Sequence, residues 1–315
     1  MATFITTFNM VMPMFGLVFA GYLVRRAKLL PEEVATRLNN LCYKVLLPCS
    51  MFKSALTMVF NMEYFWMMVF LCVAVFVSVP ILCLVIPRFV PDRRQAGAVV
   101  QTCFRTNTAI FGLGMMESVC GPDSLAPMVV VVATVVMCFN ICAVIELTYF
   151  SGESAGDALT PKKLFLDLAK NPLILSTLGG ILVGMTGFEI PKVIMKPISD
   201  LAVASMPIAM ISVGMRFNLK SITGNRKIIG LATLIKMVIM PIVWTAAAYF
   251  VGFRGLVLCA IYFQQASTTI TIAPAIAEAY GCDGQISGEI LIVQTAASLF
   301  TMFTGVYIFQ IIGIL

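Results

Sequence analysis

The chain contains no histidine. That removes the commonest zinc ligand and the usual general base near neutral pH, so metalloprotease chemistry has nothing to run on. Charge is scarce as well. Only 11% of the residues are Asp, Glu, Lys or Arg, against roughly 25% in soluble domains. No Gly-x-x-x-x-Gly-Lys-Ser/Thr phosphate loop is present, which argues against a nucleotide-driven pump. No Gly-x-Ser-x-Gly turn accompanies a Ser–Lys dyad. No pair of acids lies deep in an apolar run, and Asp200 stands near the start of one. An intramembrane enzyme therefore has no support. The longest polar interval, 150–171, leaves no room for a sizeable soluble domain.

What is abundant is apolar surface. Sixty per cent of the 315 residues are hydrophobic and the mean hydropathy is +0.98, a composition built for lipid. Eight of the ten cysteines lie inside apolar segments and read as small buried hydrophobes. Cys120 and Cys282, near segment ends, are the one pair to watch for bridging.

About twenty apolar residues are needed to cross a bilayer core. Spans are read at 4–24, 38–59, 62–86, 98–117, 125–149, 172–189, 193–215, 227–250, 255–279 and 287–314. The first lacks a basic stretch before its apolar run and ends in Arg25-Arg26, so it reads as a membrane helix and not as a cleaved signal. Ten spans place loops 25–37, 87–97, 150–171, 216–227 and 280–286 on one side. These carry four, three, three, four and no Lys or Arg, fourteen of the 21. The other side has Lys192, Lys196 and Arg254. Basic loops stay in the cytoplasm, so both termini are expected outside it. The net charge of +6 is thus a topology signal, and no nucleic-acid partner is expected.

A repeat is visible at an offset near 160 residues. Pro31 and Pro191 are 160 apart, Pro48 and Pro207 are 159 apart, and Pro80 and Pro241 are 161 apart. The motif 121-GPD-123 matches 281-GCD-283; Thr108 aligns with Thr268, Ile110 with Ile270, and Gly114 with Pro274. The halves are 1–149 and 172–315, joined by a cytoplasmic linker at 150–171. Five spans per copy, an odd number, force the copies into the membrane in opposite directions. Inverted repeats mark alternating-access carriers, whose sites lie where corresponding interrupted helices meet at mid-membrane.

Here the interrupted pair is 101-QTCFRTNTAIFGLGMM-116 and 264-QQASTTITIAPAIAEAYG-281. Glycine weakens a helix by about 1 kcal/mol, and proline removes a backbone donor. Freed backbone groups at membrane depth persist only against protein or a wet cavity. Asn107, Thr108, Gly112 and Gly114 on one side, with Gln264, Gln265, Ser267, Thr268, Thr269 and Pro274 on the other, are the candidate ligands. Arg105 admits three readings: snorkelling to cytoplasmic water, pairing with Glu146, or attracting an anion, since a guanidinium forks onto a carboxylate. Lys236, mid-way along the eighth span, is a second candidate counter-charge. Pro13, Pro48, Pro80, Pro207 and Pro241 read as helix kinks. Gly16, Gly21 and 179-GGILVG-184 read as sites of close helix packing.

The stretch 107-NTAIFGLG-114, with 171-NPLILSTLGGILVG-184 and 205-SMPIAMISVGMRF-217, resembles the auxin efflux carrier family of plants, bacteria and archaea, over essentially the whole chain. Gly114 stands where that family usually has proline, which leaves open whether the fourth span is fully broken. The resemblance implies an all-α integral membrane protein of ten helices in two inverted five-helix repeats, the bile acid/auxin transporter-like fold, with helices 4 and 9 broken and crossing at the substrate. It implies a scaffold of helices 1, 2, 6 and 7, usually a homodimer, and an elevator-like mobile unit of helices 3–5 and 8–10. It implies transport of small organic anions such as malate, malonate or auxin-like acids. The short 150–171 interval suits a prokaryotic member in the inner membrane. No cofactor or metal is expected, and coupling to a proton or sodium ion stays open. The alternative is a sodium-coupled symporter of the bile acid type, for which Gln264, Gln265 and Glu278 are the available ligands.

Overall fold

A computed structural model describes residues 2–56, 61–151, 172–188, 190–216 and 226–315. The expected linker at 150–171 lies, but for its first two residues, outside the described residues. The described residues are mostly helical, with no strand among them. Among the described residues six helices are long and apolar enough to cross a membrane, at 4–26, 62–88, 126–150, 192–215, 226–251 and 284–311.

In chain order the helices are α1 (Ala2–Arg26), α2 (Glu32–Leu41), α3 (Leu47–Leu56), α4 (Met62–Val85), α5 (Arg93–Phe104), α6 (Leu113–Cys120) and α7 (Ala126–Ser151). They continue with α8 (Pro172–Thr186), α9 (Lys192–Met215), α10 (Arg226–Leu234), α11 (Met240–Val251), α12 (Gly255–Ala266), α13 (Ala273–Ala279) and α14 (Gly284–Ile311). A π-helical turn at Cys42–Leu46 fuses α2 to α3, and another at Ile235–Ile239 fuses α10 to α11. Each turn ends two residues before a proline, Pro48 and Pro241. A proline ring clashes with the carbonyl four residues earlier and supplies no N–H. One widened turn gives that ring room without ending the helix.

Local chemistry sets the ends. The Asn61 side chain accepts from Tyr64 N–H at the start of α4. Asp92 accepts from Arg94 and Gln95 N–H at α5, and Asp283 accepts from Ile286 N–H at α14. Each satisfies donors that a first helical turn leaves bare. The two repeat-related glycines, Gly121 and Gly281, have φ of +87° and +74° and close off α6 and α13. Only glycine reaches that region without strain, so the 160-residue correspondence carries a backbone requirement.

Helix packing falls into two groups. In one, α1 lies along α9, α3 along α8, and α9 crosses α2 and α3. The contacts are close because side chains are missing. A Cβ on Gly21 would overlap the Ile211 carbonyl, and one on Gly214 the Val18 carbonyl. Gly180 and Gly184 stand in the same relation to the carbonyls of Phe52 and Leu56. Gly16, expected to behave likewise, has nothing within 4 Å of where its Cβ would be. It is exposed, so the close-packing reading is not met at this glycine within the described chain. The second group gathers α4, α5 and α7, with α10 to α14 against them. Its centre is a continuous apolar core that includes Phe111, Phe263, Met115 and Leu258, all fully buried.

Candidate functional site

The two interrupted segments meet. α5 stops at Phe104; residues 105–107 are not helical, and a π-helical turn at Thr108–Gly112 leads into α6. α12 stops at Ala266, residues 267–272 are not helical, and α13 begins with Pro274 in its first turn. Asn107 N–H donates to the Thr268 carbonyl oxygen at 2.7 Å, which joins the breaks directly. The fourth span is therefore broken without a proline. The break falls at 105–107, upstream of Gly114, which sits inside regular α6 with Met14, Met206 and Met210 at ordinary contact distance from its missing Cβ. Gly114 is not the helix breaker that its alignment with Pro274 suggests.

Several of the backbone groups freed at the breaks are met by side chains, as burial requires. The Ser267 hydroxyl donates to the Phe263 carbonyl at 2.5 Å. Lys236 Nζ donates to the Gln265 carbonyl at 3.2 Å. Gln294, on α14 and fully buried, accepts from Thr269 N–H at 3.0 Å and donates to the Thr102 carbonyl at 3.3 Å. One amide thus ties both breaks. Arg216 Nη1 donates to the Thr271 carbonyl at 3.4 Å, and its Nη2 to the Thr36 hydroxyl at 3.2 Å.

A cavity of about 140 Å³ adjoins this crossing. Of the twelve sequence-derived candidates, Arg105, Asn107 and Thr108 line it, joined by Asn39, Tyr43, Asn140 and Thr271. Arg105 is the one cation among the lining residues. Its Nη2 donates to Asn140 Oδ1 at 2.9 Å, while its Nε has no hydrogen-bond partner. Asn107 Nδ2, buried at the same place, has none either. Thr106 and Thr108 share a hydroxyl–hydroxyl hydrogen bond, and Gln264 Nε2 donates to Thr106 at 3.4 Å. Arg105 does not pair with Glu146, both of whose carboxylate oxygens lack a partner, and it stands half-buried in the cavity wall.

Gln264, Gln265, Ser267, Thr268 and Thr269 are buried beneath the cavity and hold the breaks. Gly112 packs there too; its missing Cβ would strike Met128 and touch Ser267 Oγ. Lys236 is fully buried and serves a carbonyl, so it neither snorkels nor lines this cavity. Pro274 lines a second cavity, of about 310 Å³, with Thr271, Arg216 and Glu289. Asn39, Tyr43, Thr106, Asn140, Arg216, Thr271 and Gln294 are polar residues that sequence reading missed. Asn140 was visible as the lone amide of its apolar span, and Gln294 as one of two in its own, with Gln310. All ten cysteines are free, and Cys120 lies beside Cys259 and not Cys282. Among the described residues no cluster of three metal-ligating side chains occurs.

The profile of a family described as "Membrane transport protein" matches residues 6–306. The chain belongs to that family. The resemblance to the auxin efflux carriers is thereby shown, and the protein is a multi-pass membrane transporter and not an enzyme. A protein of Rhizobium meliloti (strain 1021) named "Putative malonate transporter" is 24% identical over 312 residues, covering 96% of this chain and 95% of that relative. For a member of this transport family, a cation beside a polar, partly unsatisfied cavity between two helix breaks is an arrangement that can bind a small anion.

Proposed function

We propose that this transporter carries small organic anions, carboxylates of about malonate or malate size, by elevator-type alternating access. The observation that carries the reading is the Arg105 guanidinium at the cavity where the breaks meet, with Nε unpartnered and Asn107 Nδ2 beside it. A guanidinium at membrane depth is costly and normally faces a partner or a cavity. Its charge-assisted bonds suit a carboxylate. At roughly 30 Å³ per water, 140 Å³ holds a handful of waters, the room a short-chain acid needs. The name of the Rhizobium meliloti relative points to the same chemistry.

The accompanying architecture is ten spans in two inverted repeats, 1–149 and 172–315, with 150–171 in the cytoplasm and both termini outside it. The 14-to-3 partition of basic residues supports this. So do the near-equal offsets of α5 and α12, of α6 and α13, and of Gly121 and Gly281. Helices α1, α2–α3, α8 and α9 are the scaffold and the rest the mobile unit, in agreement with the two packing groups. On this topology Asn39, Leu173 and Arg216 lie toward the cytoplasm, so both cavities open inward. A prokaryotic inner membrane and a homodimer complete the reading.

Arg105→Gln tests it. The substitution removes charge-assisted hydrogen bonds each worth about 1.5–3 kcal/mol, so malonate affinity in proteoliposomes should fall about tenfold or more with the protein still folded. Asn107→Ala and Thr268→Ala should impair transport too. Wild-type affinity in Arg105→Gln would make the arginine a structural anchor and remove the assignment.

A further inference from the structure

Glu146 on α7 is 1% exposed, and neither carboxyl oxygen has a hydrogen-bond partner. A carboxylate in that setting would be an uncompensated charge inside low dielectric, which proteins avoid by pairing or by protonation. The titratable groups around it are thiols, Cys83 on α4, Cys103 on α5, Cys142 one turn earlier and Cys282 before α14, together with the Arg105 guanidinium. None of the thiols can neutralise a carboxylate. Arg105 can, but its Nη2 is held by Asn140.

The geometry of this seam shows what a change of partner needs. Phe104 packs on Phe139, and Gly97 on Phe150, so α5 and α7 run antiparallel. Arg105 therefore stands level with Asn140, while Glu146 lies six residues further along α7, about 9 Å at 1.5 Å per residue. Gln101, fully buried and with both amide atoms unpartnered, stands at the level between them. The guanidinium thus has an anion site on one side and a buried carboxyl on the other, with an uncommitted Nε.

We propose that Glu146 is a proton-binding site, and that Arg105 pairs either with the transported carboxylate or with ionised Glu146, so that each anion moves with one proton. This rests on the anion-carrier reading and deepens it by naming the coupling ion. When an anion takes Arg105, a proton from water on the loading side bonds to a Glu146 oxygen. When the anion leaves, Arg105 turns to Glu146 and the proton departs to water on the far side. No bond of the substrate forms or breaks, and the unit in transit is the anion, Arg105 as a cation and Glu146 as a neutral acid.

The test uses the full chain in two assays. Infrared difference spectra of the purified, anion-free protein taken as the pH is lowered should show a carboxylic-acid C=O band appearing that Glu146→Gln removes; a spectrum with no Glu146-dependent band would overturn the proposal whatever the substrate is. In proteoliposomes with the membrane potential clamped at zero, one unit of inside-alkaline pH gradient should accumulate malonate about tenfold. In Glu146→Gln that accumulation should fall to the gradient-free level while malonate counterflow at equal pH continues. Glu146→Asp should restore part of the drive. Gradient-driven accumulation that persists in Glu146→Gln, or net wild-type malonate uptake with no accompanying proton uptake, would overturn the proton site and leave the anion reading standing. Absence of counterflow in wild type would sink malonate as substrate, and the infrared result would still decide Glu146.

Discussion

Gln294→Leu should loosen the crossing and lower the stability of the whole transporter. The Thr102 carbonyl is one of the last four of α5, which have no helical partner once the chain leaves the helix at Arg105. The Thr269 N–H belongs to a stretch with no helix to donate into. Gln294 satisfies both from α14. Leucine has a similar volume, so the packing loss is small, and the effect is that of two orphaned buried backbone groups. At about 1–3 kcal/mol each, the cost is about 2–6 kcal/mol. With roughly 2 °C of melting shift per kcal/mol in a chain of this size, the midpoint should drop by about 4–12 °C. The buried thiols supply the assay: a thiol-reactive fluorophore reports unfolding of the detergent-purified protein as they become accessible. A midpoint within about 2 °C of wild type would mean that the breaks hold without the bridge, and the accounting of freed backbone groups given above would be wrong.

Two further outcomes follow from the proposed topology and assembly. A cysteine placed at Ser154, beyond the described residues, should resist an impermeant thiol reagent in intact cells and react once the membrane is opened; ready labelling in intact cells would invert or discard the ten-span topology. Native mass spectrometry in mild detergent should give twice the mass of one chain, and a spectrum of monomer alone would remove the homodimer.

Much of the architecture was legible in residue order because the bilayer imposes it. Lipid offers no hydrogen bonds, so helices must be long, apolar and bounded by polar turns. The described helices begin and end within a few residues of the spans read from hydropathy, except at α2 and α5, where polar first turns extend the helix outward. The offset near 160 residues located both interrupted segments, since glycine, proline and Gly-x-Asp mark backbone requirements that act locally. Gly121 and Gly281 meet theirs.

What tertiary structure decided is which polar groups answer which. Sequence placed Lys236 and Arg105 alike, as cations inside apolar spans. Packing makes one of them a carbonyl's partner and the other a wall of the cavity. Sequence placed the interruption somewhere within 107–114 and left Gly114's part in it open; the chain leaves the helix at Arg105 because partners for the freed groups, Thr268 and Gln294, stand there. Those partners lie more than 160 residues away in the chain, and no local propensity encodes them. A buried polar group is stable only where its complement arrives, and the complement is set by how the helices pack.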